Sequence, residues 1–362
     1  MDPLLITGGA GFIGFNLVEH VLATTPSDVV VVDKVTYAAN RDAVAALVRR
    51  PRVTFLKEDI GSYWAMCDVF DRYQPAVVLN LAAETHVDRS IDSPQTFINT
   101  NVVGTCALLD ASRRYLAGLT GQRRDHFRFL HVSTDEVFGT LGPTGRFSEH
   151  TPYAPNSPYS ASKAAADHLV RAYFVTYGLP TLITNCSNTY GPHQHPEKLI
   201  PLMILNALQA RRLPIYGDGS NVRDWLHVDD HCSALMTVLK RGVPGESYNI
   251  GADNEQTNLA LVDRLCDAVE AFRPARFNIA MRAAGFDSYR RLKQFVVDRP
   301  GHDRRYALDA SKLRRELSWM PAHSFETGLT STVEWYIEHH HAFLAGRSGY
   351  DRERLGLGGV TR

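Results

Sequence analysis

The sequence predicts an α/β protein: a doubly wound parallel sheet with a smaller, interleaved α/β domain. Two observations carry that prediction. Segments such as DVVVVD (28–33) and AVVLNLAA (76–83) are apolar throughout instead of alternating, so both faces of the sheet they form must be covered. Between them run segments of helical pattern, the first being FIGFNLVEHVLAT, which suit the crossovers of a parallel sheet.

Taken in order, PLLIT (3–7) is the first strand, followed by the turn GGAGFIG and the first helix. DVVVVD is the second strand, VTFLKEDI (53–60) the third and AVVLNLAA the fourth. FRFLHVST and TLITNCSNTYG continue the series, and SYNIGA (247–252) reads as a late strand returning to the same sheet. From about residue 190 the texture changes to loops rich in Pro, Gly, Arg and His, the kind that build binding sites on a rigid scaffold. The expected division is a first domain over 1–187, completed by about 226–252, and a second over 188–225 and 253–340, with 341–362 as a tail.

Composition excludes several classes. Of 362 residues, 44% are hydrophobic and 22% charged, as in ordinary soluble proteins. Lys plus Arg and Asp plus Glu both total 39, which argues against nucleic acid or a charged membrane as partner. Cys67, Cys106, Cys186, Cys232 and Cys266 are dispersed, as expected of reduced thiols in the cytoplasm. No signal peptide and no membrane span are expected.

Gly8, Gly11 and Gly14 form GxxGxxG between a strand and a helix. The first allows a tight turn, the second a close backbone approach to a pyrophosphate, and the third close helix–sheet packing. Phe12, Ile13 and Gly14 open the helix, whose free N–H groups favour phosphate. Asp33 ends the second strand 19 residues after Gly14, placed to accept hydrogen bonds from an adenosine ribose diol. A Rossmann-type site for NAD in preference to NADP follows, with Lys34 the one residue that argues the other way. Asp59 and Ile60 close the third strand where an adenine would rest, although Asp59 also suits a helix cap. Leu81, Ala82, Ala83 and Thr85 follow the fourth strand, beside the nicotinamide end.

Two further constellations carry chemistry. Tyr159 and Lys163 lie four residues apart, hence on one helix face, where an ammonium would lower the phenol pKa and hold a nicotinamide ribose. Exposed helices often carry such a pair, so its weight comes from the glycine loop upstream. Thr134, Asp135 and Glu136 set a hydroxyl and two carboxyls side by side at a strand end. Crowded like charges drive one carboxyl pKa up, yielding an acid and a base at one pH.

With the segments LLITGGAGFIG, LAAETHVDRSI, VSTDEVFG, SPYSASKA, NCSNTYGPHQHPEKLIP, YGDGSNVRDWLHVDDH and DRPGHDRRYALD, the chain resembles the extended short-chain dehydrogenase/reductase family (NAD-dependent epimerases and dehydratases) from its first strand to about residue 340. The acid pair marks the nucleotide-sugar 4,6-dehydratases within it. The resemblance implies bound NAD, a dTDP-glucose substrate and a three-step cycle. Tyr159 takes the 4-OH proton as C4 gives up hydride. Glu136 then removes the C5 proton while Asp135 protonates the departing 6-OH, and hydride finally returns to C6. Thr134 would orient the sugar. It also places Thr36, Thr100 and Thr189 at the cofactor. At the substrate it places Thr85, His86, Asn188, Lys198, Leu199, Pro214, Tyr216, Arg223, Asn258, Arg299 and His302, with Arg223 on the diphosphate and Tyr216 near the base.

Phe138, Ala39 and Thr189 depart from the family pattern, the last at a cofactor contact. His193 and His195 also differ, but no other ligands surround them in sequence and no metal is expected. A dehydratase of a UDP- or GDP-linked sugar is the nearest alternative. A non-catalytic NAD sensor is the other, and it has no need of the acid pair. Finally, small and apolar residues on helices at about 95–115 and 160–177 (Val102, Val103, Ala107, Ala161, Ala164, Ala165) exceed what covering the sheet requires, which predicts a homodimer through a four-helix bundle.

Overall fold

Side chains alternate across each central strand, and both sides are buried. The computed structural model describes residues 3–344; the rest of the expected tail, 345–362, lies outside them. Its principal sheet is built from β1 (Leu4–Thr7), β2 (Val29–Val32), β3 (Val53–Leu56), β4 (Val77–Asn80), β5 (Arg128–Thr134) and β6 (Thr181–Cys186). Three short strands follow, β7 (Asn188–Tyr190), β8 (Leu213–Tyr216) and β9 (Val222–His227). β10 (Ser247–Ile250) returns to the principal sheet, and β11 (Glu255–Thr257) and β12 (Lys293–Val296) complete the set. The principal sheet is seven-stranded and parallel, in the order β10-β6-β5-β4-β1-β2-β3.

Leu4, Ile6, Val29 and Val31 pack against helices Phe12–Thr24 and Val228–Arg241, while Leu5, Val30 and Val32 pack against Tyr63–Tyr73 and Thr105–Gly118. This two-sided burial is why the strands read as unbroken apolar runs. A separate apolar cluster links β8 and β9 with helices Leu199–Leu208, Asn258–Phe272 and Phe325–Leu344. The strand order reverses between β1 and β4, the position where open α/β sheets leave a crevice at their carboxyl edge.

Three expectations need correction. TLITNCSNTYG is two strands: Cys186 pairs with the last residue of β5, Thr134, and beyond it the chain swings out so that β7 pairs with β9. The third strand ends at Leu56, so Asp59 and Ile60 sit in the following turn, where Asp59 Oδ1 accepts the Gly61 N–H (2.8 Å). The helix expected over 95–115 runs from Pro94 to Gly118, with its Ile98–Gly104 portion widened into a π-helix. There Asn101 donates to the Glu84 carbonyl (3.0 Å) and to Ser162 Oγ (2.8 Å), and Gly104 lies against Ile60. Such widenings are common beside functional sites. Among the described residues no helix is long and apolar enough to cross a membrane.

Candidate active site

The crevice at the switch point is a cleft of about 280 Å³, lined by every cofactor residue expected from sequence, from Gly8 through Asp33, Asp59 and Thr100 to Thr189. It meets a second cavity of about 210 Å³ lined by the expected substrate residues, including His86, Leu199, Pro214, Tyr216, Arg223, Asn258, Arg299 and His302. Thr85, Glu136, Asn188, Thr189 and Lys198 line both cavities.

Local chemistry builds the first cleft. Gly8 has φ +71°, and a Cβ there would lie 2.7 Å from Ala82 N, at the end of β4. A Cβ on Gly14 would collide with the Gly8 carbonyl, whereas one on Gly11 meets nothing closer than 3.3 Å. Gly8 and Gly14 are therefore required by the protein itself, and Gly11 is left for whatever approaches the helix N-terminus. Asp33 accepts from the N–H groups of Ala10 (2.9 Å) and Val35 (2.7 Å), tying the strand tip to the glycine loop. Lys34 donates to Thr100 Oγ1 (2.8 Å) and lies 3.8 Å from Asp59, so its charge is turned to the π-helix and to the turn after β3.

At the cleft floor, Tyr159 and Lys163 project from the helix Pro158–Tyr177, started by a Ser157–Ser160 capping box with Pro158 in the first turn and ended by Gly178 at φ +68°. The expected depression of the Tyr159 pKa does not hold here. Burial, then the Glu136 carboxylate, hold it well above its ordinary value, against the Thr134 hydroxyl. Lys163 Nζ donates to the Val132 carbonyl (2.8 Å), which directs its charge at β5.

Asp135 and Glu136 occupy the short turn after β5 and differ in environment. Asp135 is 2% exposed, and burial first, then Glu136, raise its pKa well above the ordinary value. Thr134 Oγ1 donates to Asp135 Oδ1 (3.2 Å), while buried Oδ2 has no partner among the described residues. Glu136 opens to the cleft, its pKa raised by burial but opposed by Arg299, Arg223 and Lys198.

In the second cavity, Arg223 is fixed by the carbonyls of Val222 (2.8 Å) and Asp303 (2.9 Å) and stacks over Tyr306. Lys198 donates to the Thr85 carbonyl (2.9 Å). The side-chain oxygens of Asn188 and Asn258 are buried without partners among the described residues. Sequence reasoning missed Asp88, which accepts from Arg299 (2.7 Å) and Tyr216 (3.1 Å), although HVDRSI had drawn notice. It also missed Glu197, which gathers its neighbour His195 (3.6 Å) with Arg89 (3.1 Å) and Tyr37 (3.4 Å) where the two cavities meet; only the fold brings the last two to it.

The departures from pattern find their places. Phe138 stacks on Phe147, so no hydroxyl is called for. Thr189 donates to the Ser187 carbonyl (3.3 Å) and meets His231 Nδ1 (3.0 Å). His193 sits between Phe15 and Trp335, and burial pushes its pKa down to about 4. His227, Asp229 and His323 bring ligand-type atoms within 4.8 Å of one another, and none of them lines either cavity.

The protein family described as GDP-mannose 4,6 dehydratase matches residues 5–332. A dTDP-glucose 4,6-dehydratase of Xanthomonas campestris is 55% identical, over 93% of both chains. That of Neisseria meningitidis is 51% identical, over 99% of this chain and 100% of its own. The chain belongs to the dTDP-glucose 4,6-dehydratase family. The same enzyme of Streptomyces venezuelae, solved with NAD bound, is 42% identical and superposes with a TM-score of 0.83 over 94% of this chain and 98% of its own.

Proposed function

We propose that the chain dehydrates dTDP-glucose to dTDP-4-keto-6-deoxyglucose as a hydro-lyase on tightly held NAD, in deoxysugar biosynthesis. The observation that carries this reading is the placement of Asp135, Glu136 and Tyr159 on one cleft, with a partnerless carboxyl oxygen on the more buried acid. The first cleft fits NAD: Gly11 leaves its backbone approachable and Asp33 stands at the strand tip. Residues 1–187, completed by about 226–252, would hold it, and 188–225 with 253–340 would hold the nucleotide sugar. Free, mostly buried cysteines support a cytoplasmic location.

Bound NAD supplies the hydride acceptor for C4, the hydride that later reduces C6, and a positive ring charge that favours a phenolate. Tyr159 removes the sugar 4-OH proton, with Thr134 orienting that hydroxyl and Lys163 holding the cofactor ribose. The resulting 4-ketone acidifies the C5 hydrogen, which Glu136 takes. Asp135 gives its proton to the departing 6-OH, and water leaves. Glu136 then returns a proton to C5 as C6 is reduced. Arg223, already fixed by carbonyls, would receive the diphosphate.

The test is NAD content in the purified protein, followed by a panel of nucleotide sugars. A 4-keto-6-deoxy sugar from dTDP-glucose is expected. Turnover of only a GDP- or UDP-linked hexose would move the reading to the second candidate. Absence of any product would overturn both.

A further inference from the structure

Beneath Lys163 lies a buried charged group that the cycle above leaves without a role. We propose that Asp167 is the counter-charge of Lys163, with the His131 ring between them, and that Asp167 is thereby a positioning residue for the ammonium serving Tyr159. The proposal rests on the assignment of Tyr159 and Lys163 as the proton-transfer pair.

Geometry fixes the arrangement. Asp167 lies four residues beyond Lys163 on the same helix, so the two share a face. The His131 and Asp167 side chains are each 1% exposed, with His131 Nε2 3.4 Å from Asp167 Oδ1. Lys163 Nζ lies 3.3 Å from the same ring nitrogen.

Hydrogen bonds also hold the His131 ring from its other edge. The Ala82 N–H points at Thr7 Oγ1 (3.3 Å), so the Thr7 hydroxyl is free to donate to Asn80 Oδ1 (2.7 Å). That places the Asn80 amide nitrogen against His131 Nδ1 (3.1 Å). His131 Nε2 faces both Lys163 Nζ and Asp167 Oδ1, and that oxygen has no hydrogen-bond partner among the described residues. Oδ2 is saturated separately, by Ser133 Oγ (2.7 Å) and Tyr153 OH (3.0 Å). Lys163 Nζ itself donates to the Val132 carbonyl (2.8 Å).

The charges agree with this geometry. Burial lowers the Lys163 pKa, and Asp167 is the largest influence raising it, ahead of Cys186. The ionisable groups facing Lys163 are thus His131 from β5, Cys186 from β6 and Asp167 from its own helix. Asp167 is itself pushed up to about 6 by burial, held from rising further by Lys163 and by hydroxyl and amide donors. Neutralising Asp167 removes support for the ammonium, and with it the help that the ammonium gives the phenolate.

The test is the rate of NADH appearance in a single turnover, followed against pH, for wild type, Asp167→Asn, Asp167→Glu and Tyr159→Phe. For Asp167→Asn the ascending limb should move about one pH unit or more to the alkaline side. The loss should be about tenfold at pH 7 and vanish at high pH, and Asp167→Glu should restore most of it. A uniform loss at every pH, or an unchanged profile, overturns the proposal. Full NADH formation by Tyr159→Phe would instead sink the assignment of the pair. Should Asp167→Asn fail to fold, nitrogen-15 spectra of the wild-type histidines, assigned with His131→Gln, still decide. His131 should stay neutral between pH 6.5 and 9, and an imidazolium, which would itself answer the Asp167 charge, would refute the arrangement.

Discussion

Thr134, Asp135 and Glu136 follow one another where β5 ends, yet neighbouring positions receive different environments. The 3-10 turn tucks Asp135 inward and leaves Glu136 at the cleft, the difference an acid–base pair needs. Asp135→Asn and Glu136→Gln should each still form NADH on adding substrate, while releasing product about a hundredfold more slowly, as for loss of one general acid or base. Tyr159→Phe should form no NADH at all. Normal product release by both acid variants would sink the assignment. The pKa directions add a pH test. Dehydration needs Glu136 ionised and Asp135 protonated, so it should fall on the acid side as Glu136 takes a proton and on the alkaline side as Asp135 loses one. Both pKa values are raised, Asp135 strongly, which moves this window above the range of free carboxyls. The alkaline limb should therefore shape product formation and be missing from NADH formation; the same limb in both would show that Asp135 is not the acid.

Among the elements, the glycine loop makes the sharpest division. Gly14→Ala drives a methyl group into the Gly8 carbonyl and should cost about 1–3 kcal/mol of stability along with NAD binding. At Gly11 the backbone is ordinary for any residue (φ −79°) and a methyl group would be only slightly tight, 3.3 Å from the Gly8 carbonyl, so Gly11→Ala should lower the Tm of the NAD-free protein far less than Gly14→Ala does, and should lose bound NAD. Equal loss of Tm in both variants would mean that the loop has no side reserved for phosphate. This loop, the strands and the Tyr159 helix were legible in sequence because each is a local pattern: an apolar run, a capped helix, glycine at fixed intervals. Glu197 was not legible, because its partners Tyr37 and Arg89 come from separate stretches of chain. Nor was the break at Cys186, which depends on where β5 stops. The charge balance at Tyr159 was misjudged for the same reason: spacing gives the face of a helix, but not its burial or the Glu136 carboxylate brought in from the turn after β5.

At the scale of the whole molecule, the helices that bear the catalytic pair and the π-helix also present apolar surface outward. Val103 is 54% exposed, Val175 65% and Tyr177 51%, with Ile98 and Ala161 exposed beside them. Ala164 is not part of this surface, being packed against Val137 and Tyr306 inside the subunit. Burying the remainder would call for a partner, and a two-fold axis pairing the two helices of each subunit supplies one without leaving an open edge. Because Tyr159 starts one of these helices and Asn101 ties the other to Ser162, a partner there would also steady the catalytic face. Val103→Glu changes an exposed residue, so the subunit itself should keep its fold to within about 0.5 kcal/mol. It should nonetheless sediment as a monomer and lose most of its activity, while wild type sediments as a dimer at micromolar concentration. A monomeric wild type, or a monomeric variant with full activity, would show that the apolar faces serve neither assembly nor the catalytic helix.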